Sequence, residues 1–176
     1  MVEGSINLSQ SPVFDDMTDD ERQHLIALLQ VEEYPQGEVI LREGNETRIL
    51  WFLIRGQCEV AKLIKPAKEK RFAMLDPGAI FGEMSFIHPA PHSASIRTLS
   101  EVEVARLSYS DYERLLEASP AAAQKIAFRI LNVLAGRLRR MDDWTGTLVD
   151  CPENESNQRR QEWHDFRTKL YTEWDF

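Results

Sequence analysis

The sequence predicts a mainly β protein with flanking helices: an antiparallel roll or jelly roll between a short N-terminal helix and a long C-terminal one. Three observations carry this. From Val31 to Leu107, short apolar or alternating runs are separated at regular spacing by turn residues. Before them, Thr18 and Glu21 have the spacing of a capping box at a helix start. After them, Ser119-Pro120 opens a long helix striped with apolar residues.

The elements follow in order. Residues 1–12 are polar and without periodicity, and are expected to be flexible. A single domain is expected over 13–143, followed by a linker and tail at 144–176. In the first helix Asp19 and Asp20 favour the start, and Leu25, Ile26, Leu28 and Leu29 form the expected buried face. Six to eight strands follow. Val31–Tyr34 stops at Pro35-Gln36-Gly37, Val39–Leu41 at Glu43-Gly44-Asn45 and Ile49–Ile54 at Arg55-Gly56. Cys58–Ile64 leads into an expected charged loop, Lys65 to Arg71, and Phe72–Leu75 stops at Asp76-Pro77-Gly78. Val102–Leu107 alternates again, and Ser108 or Ser110 caps a short helix, Tyr109–Ala118.

The long helix is expected to run from Pro120 to about Asp143. On it Ala127, Leu131, Leu134, Leu138 and Met141 make a coiled-coil-like stripe, with Ile126, Ile130 and Val133 beside it. An apolar surface that wide predicts one side packed on the roll and the other on a partner helix, hence a homodimer through 120–143. Beyond the polar linker Cys151–Asn157, an amphipathic tail carries Trp163, Phe166, Leu170 and Trp174 on one helical face. Such an aromatic face needs a cover, either its own domain or dimer, or a separate protein partner.

Composition excludes several classes. With 29 Asp and Glu against 21 Lys and Arg, the net charge is −8, which disfavours a nucleic-acid surface. Two cysteines, Cys58 and Cys151, are too few for a disulfide framework or a thiolate metal site. There is no apolar run long enough for a membrane span and no secretory signal at the N-terminus, so a cytoplasmic protein is expected. No G-x-S-x-G, H-E-x-x-H or P-loop motif is present, so no catalytic residues and no enzyme activity are expected. His24, His88, His92 and His164 do not have metal-ligand spacing, and no metal site is expected.

The stretch Phe81 to Thr98, FGEMSFIHPAPHSASIRT, carries the functional signal. Gly82-Glu83 opens one short helical turn, Pro89 and Pro91 break it, and Ser93–Thr98 reads as a strand. Backbone N–H groups at such a start suit an anion, and a fixed carboxylate such as Glu83 accepts hydrogen bonds from sugar hydroxyls. Phosphate plus ribose is the ligand class this suggests.

Taken with "YPQGEVILREG", "ILWFLIRGQCEV", "LDPGAIFGEMSFI" and "HSASIRT", the order of elements over residues 14–141 resembles the cyclic nucleotide-binding domain family of catabolite activator proteins and protein kinase A regulatory subunits. Gly44, Gly56 and Gly78 stand at family-like turns. The resemblance implies a Crp-like regulatory module for signal transduction, with cyclic AMP or cyclic GMP as ligand. It also implies a ligand set of Gly82, Glu83, Met84, Ser85, His92, Ser93 and Ala94. In the family the cassette glutamate, here Glu83, binds the ribose 2′-hydroxyl, and the amides of Gly82, Glu83, Met84, Ser93 and Ala94 would meet ribose or phosphate. His92 stands where the resemblance places the arginine that pairs with the cyclic phosphate. A mostly neutral histidine in place of a bidentate guanidinium weakens binding by roughly tenfold to a hundredfold, from ~1.5–3 kcal/mol per charged hydrogen bond.

For the base, the resemblance offers Asn132, Ala135 or Arg139 on the long helix. Arg97, on a strand five residues beyond His92, is not a ready substitute for the arginine. The roughly 33 residues after Asp143 hold no basic recognition helix, so DNA is not an expected partner. Two readings stand: a nucleotide-sensing module, or a scaffold that has lost its nucleotide and works through the dimer helix and aromatic tail.

Overall fold

The structure, a computed structural model, describes residues 14–65 and 68–149. The chain divides into two units, Met1–Val133 and Leu134–Phe176, and the roll lies in the first. Residues 1–12, the linker and the tail with Trp163, Phe166, Leu170 and Trp174 lie outside the described residues.

Helix α1 (Asp19–Ile26) starts as its capping box dictates. Thr18 N donates to Glu21 Oε2 at 2.7 Å and Glu21 N to Thr18 Oγ1 at 3.3 Å. It ends at Ile26, so Leu28 and Leu29 of the expected helix face lie past it, half-buried, and only Leu25 is fully covered.

Eight strands follow: β1 (Gln30–Tyr34), β2 (Val39–Leu41), β3 (Ile49–Arg55), β4 (Cys58–Lys65), β5 (Lys68–Leu75), β6 (Ile80–Phe81), β7 (Ser95–Thr98) and β8 (Val102–Ser108). They make two four-stranded antiparallel sheets, ordered β1-β8-β3-β6 and β2-β7-β4-β5. Between the sheets lie Leu41, Trp51, Leu53, Cys58, Phe81, Ile96, Val102 and Val104. Burial pushes the Cys58 thiol up to about 11, which leaves it a protonated apolar filler. Leu50 and Phe52, on the opposite face of β3, are buried as well. A strand covered on both sides needs no polar alternation, which explains the unbroken run ILWFLI.

Two local expectations are corrected. The expected charged loop from Lys65 to Arg71 is largely strand: Lys68–Arg71 belong to β5 and pair with β4 out to Lys65↔Lys68. Cross-strand hydrogen bonds outweigh the low strand preference of those lysines. The strand expected from Ser93 begins at Ser95, because Ser93 and Ala94 lie in a bend. The turn glycines Gly44, Gly56 and Gly78 do take positive φ, at 83°, 82° and 92°.

Ser108, rather than Ser110, caps α3 (Tyr109–Ala118), its hydroxyl accepting from Asp111 N at 3.1 Å. Helix α4 (Pro120–Val149) begins at the proline and runs past the expected end near Asp143, through Trp144-Thr145-Gly146. One helical glycine costs only about 1 kcal/mol, too little to stop a helix already propagating. Ala122, Ala123, Ile126 and Ile130 are buried, whereas Phe128, Leu131, Leu138 and Met141 are exposed. The apolar surface thus separates into a covered stripe and an open one, and Phe128 joins the open one. Lys125 Nζ ties α4 to the Asp16 carbonyl at 2.5 Å and to Glu21 at 2.6 Å. That contact holds the Glu21 carboxyl below its ordinary range. Among the described residues no helix is long and apolar enough to cross a membrane.

Candidate functional site

The Phe81–Thr98 segment grows out of a paired strand. Phe81 pairs with Trp51 of β3, and their rings stack at 5.6 Å and 3°. Gly82 then turns the chain with φ 79° and caps α2 (Glu83–Ile87). A Cβ there would sit 2.6 Å from both the Ile49 carbonyl and the Trp51 ring, so conformation and space both require glycine. Phe86 N donates to the Gly82 carbonyl at 3.0 Å and closes the turn. Glu83 is only 1% exposed and is not left without a partner. Ser85 and Phe86 are buried, while Met84 and Ile87 face solvent.

Phe86 fastens the turn to the helices behind it. Its ring meets Tyr109 and Tyr112 of α3 edge-on, both at 5.5 Å. Its carbonyl accepts from Arg48 Nε at 3.3 Å and Nη2 at 3.1 Å, and the same guanidinium lies 3.2 Å over the Tyr109 ring. Tyr112 in turn donates to the Ala123 carbonyl of α4 at 3.2 Å. Burial first, and Tyr109 second, raise the Tyr112 hydroxyl above its ordinary pKa, so it stays a donor.

His92, which directly follows Pro91, is buried rather than on the surface. It is 6% exposed. Its backbone is paired with the turn after β2: His92 N donates to the Asn45 carbonyl at 2.9 Å, and Gly44 N donates to the His92 carbonyl at 3.0 Å. Its ring bridges two hydroxyls, Nδ1 to Ser85 Oγ at 2.7 Å and Nε2 to Thr47 Oγ1 at 2.7 Å. The Ser85 hydroxyl also lies 3.3 Å from the Gly82 carbonyl. In a neutral ring one nitrogen donates and the other accepts, and a hydroxyl can take either part. A neutral imidazole satisfies this chain completely, and burial lowers the His92 pKa below its ordinary value.

The second half of the segment is looser. Ser93 is exposed, with its hydroxyl 3.8 Å from Met84 Sδ, and Ala94 is half-buried. Ser95 Oγ accepts from Glu43 N at 3.0 Å. Ile96 points into the core, so Arg97 lies on the other face of β7, where it meets Glu59 at 3.2 Å. Glu59 also takes Arg71 Nε at 2.6 Å. Arg97 is therefore committed outside the roll.

Of the seven candidate residues, Gly82, Ser85 and His92 form one connected group through Ser85, Met84 and Ser93 touch, and Glu83 is buried beside Gly82. Thr47, Asn45 and Arg48 complete the arrangement and were missed by sequence reasoning. Thr47 is 45 positions from His92, and no local pattern links the two. Among the described residues no group of three His, Cys, Asp or Glu side chains is placed to hold a metal. What the segment offers is a buried carboxylate, a hydroxyl–imidazole–hydroxyl bridge and a tight glycine turn, suited to holding a polar ligand by hydrogen bonds.

Residues 31–119, which contain the Phe81–Thr98 segment, match the model of the cyclic nucleotide-binding domain. The chain belongs to the cyclic nucleotide-binding domain family. Relatives include the cyclic AMP receptor protein of Thermus thermophilus, 30% identical over 132 residues, 75% of this chain and 59% of that protein. A cAMP-dependent protein kinase regulatory subunit from Pyricularia oryzae is 30% identical over 109 residues, 62% of this chain and 27% of that protein. The chain thus spans less than two thirds of the length of each of these relatives. A solved cyclic nucleotide-binding domain from Methylobacillus flagellatus superimposes with a TM-score of 0.70 at 29% identity, over 81% of this chain and 78% of the other. The Thermus thermophilus catabolite activator protein gives 0.68 at 30%, over 78% and 63%. The two-sheet roll with its long C-terminal helix is the architecture of this family.

Proposed function

We propose that this cyclic nucleotide-binding domain is a non-catalytic regulatory module that takes cyclic AMP or cyclic GMP with reduced affinity. The observation that supports it most is His92: buried and engaged at both ring nitrogens, at the place where the resemblance puts the phosphate arginine. Glu83 accepts from the ribose 2′-hydroxyl. The amides of Gly82, Glu83, Met84, Ser93 and Ala94 face ribose and phosphate, and Ser85 orients His92. Ligand bound at this turn acts on α3 through Phe86, Tyr109 and Tyr112. The module works in the cytoplasm as a homodimer through the 120–143 helix, with the aromatic tail docking a protein partner, and it binds neither DNA nor membrane.

Calorimetric titration with cyclic AMP and cyclic GMP tests this, in the native chain and in Glu83→Ala. A bound phosphate favours His92 in its charged form, so affinity rises as pH falls from about 8 towards 6 and below. Binding that rises in this way and is lost in Glu83→Ala supports the module. No heat with either nucleotide at millimolar concentration would overturn it.

A further inference from the structure

A cavity of about 260 Å³ opens on the other side of His92, between the edges of β1 and β2 and the inner face of β3. It is not the nucleotide cassette: of the seven cassette residues only His92 lines it. Its apolar lining is Ile40, Leu41, Ile49 and Trp51, beside the polar Asn45 and Thr47. Glu32 and Arg106 form one side but neutralise each other at 2.6 Å, and Glu32 also receives the Tyr34 hydroxyl at 2.5 Å. Burial and that carboxylate hold the Tyr34 hydroxyl up at about 12, so the group adds no charge.

Arg42 on the rim differs. It is exposed and, among the described residues, has neither a side-chain hydrogen bond nor an ion pair. The Thr47 hydroxyl stands nearby on the same rim, held by His92. Apolar lining together with one uncommitted guanidinium recognises a molecule with an apolar body and one anionic head, and the planar fork of arginine matches a carboxylate. The volume falls just under the usual range for drug-sized ligands, roughly 300–1,000 Å³, which suits a single ring or short chain rather than a nucleotide.

We propose that this cavity is a second ligand site, separate from the cassette, for a small organic carboxylate whose apolar body rests on Trp51, Ile40, Leu41 and Ile49 and whose carboxylate meets Arg42. This does not depend on cyclic nucleotide binding. The test is a methyl and indole NMR titration of the full chain with phenylacetate, indole-3-acetate and hexanoate, and with phenylacetamide as the uncharged control. At least one acid should shift Ile40, Leu41 and Ile49 methyls and the Trp51 indole saturably, and the amide should bind more weakly. Arg42→Gln, on an exposed side chain, should keep the native spectrum and weaken that acid about tenfold, the loss of one charged hydrogen bond. Ile40→Phe, which fills the cavity, should abolish the shifts. The proposal is overturned if no acid gives saturable shifts up to millimolar concentration, if the amide binds as well as the acid, if Arg42→Gln binds unchanged, or if the shifts fall on Met84 and Ser93 instead.

Discussion

The Nδ1 atom of His92 lies 2.7 Å from the Ser85 hydroxyl, and through it the Pro-rich loop is fastened to the helix that follows Gly82. Thr47 holds the other ring nitrogen at the same distance. Both hydroxyls are satisfied by a neutral ring, and charging that ring in its buried place is opposed by lost hydration.

This fixes a pH dependence of stability. The His92 pKa in the folded state is lowered by burial, while in the unfolded chain it returns to about 6.5. The unfolded state therefore binds a proton first as pH falls. The contribution is fully present above about pH 6.5 and is lost from there down towards the folded value. Urea midpoints measured at steps from pH 7.5 to 5.5 should fall, and His92→Gln should flatten that part of the curve. An unchanged slope in the variant would contradict the buried neutral state. Glu21, lowered by Lys125, loses its own contribution only at more acid pH, below its ordinary 4.5.

Replacing the imidazole by a guanidinium should act in opposite directions on stability and binding. His92→Arg buries a charge among Ser85, Thr47 and Trp51, so the unliganded melting temperature should drop. Cyclic nucleotide affinity should rise about tenfold to a hundredfold, as expected for ~1.5–3 kcal/mol from a charged hydrogen bond. Thermal shift with and without cyclic AMP checks both at once.

Gly82 tolerates no side chain. Gly82→Ala forces a left-handed alanine whose Cβ lies 2.6 Å from the Ile49 carbonyl and the Trp51 ring. A loss of about 2–4 kcal/mol is expected from backbone strain plus overpacking, read from urea unfolding.

Arg48 fastens the Phe86 carbonyl and covers the Tyr109 ring. Arg48→Ala should cost about 1–3 kcal/mol, and Arg48→Lys should recover part of the cation–π contact but not the two-nitrogen grip. Hydrogen exchange should quicken first in α2, ahead of the sheets.

Phe128 and Leu131 are more than half exposed on α4, at 56% and 58%. If they form a dimer seam, Phe128→Glu with Leu131→Glu should give a monomer by sedimentation, with the roll unfolding at nearly the native temperature. A native chain that sediments as a monomer at micromolar concentration would remove the dimer proposal.

Much of this was readable from local sequence because the forces involved are local. The Thr18–Glu21 box, the Ser108 cap, Pro120 at the head of α4 and the glycine turns each depend on a few neighbouring atoms. Strand runs broken by turn residues were enough for the two-sheet roll, and FGEMS together with HSAS pointed to the family. Strand and helix ends were less readable, since Lys68–Arg71 and Thr145-Gly146 follow cross-strand and helical propagation against their own preferences. The state of His92 was decided only in three dimensions. Its partners are Ser85 on a helix and Thr47 on a distant loop, and its neutrality is a property of burial, which one position in a sequence does not reveal. The same holds for Arg97, turned outward onto Glu59, and for the cavity under Arg42. Local order along the chain is enough for the roll, its caps and the residue at each cassette position. Tertiary structure decided which of those residues are charged, paired or open to a ligand, because desolvation and distance act only once the chain is folded.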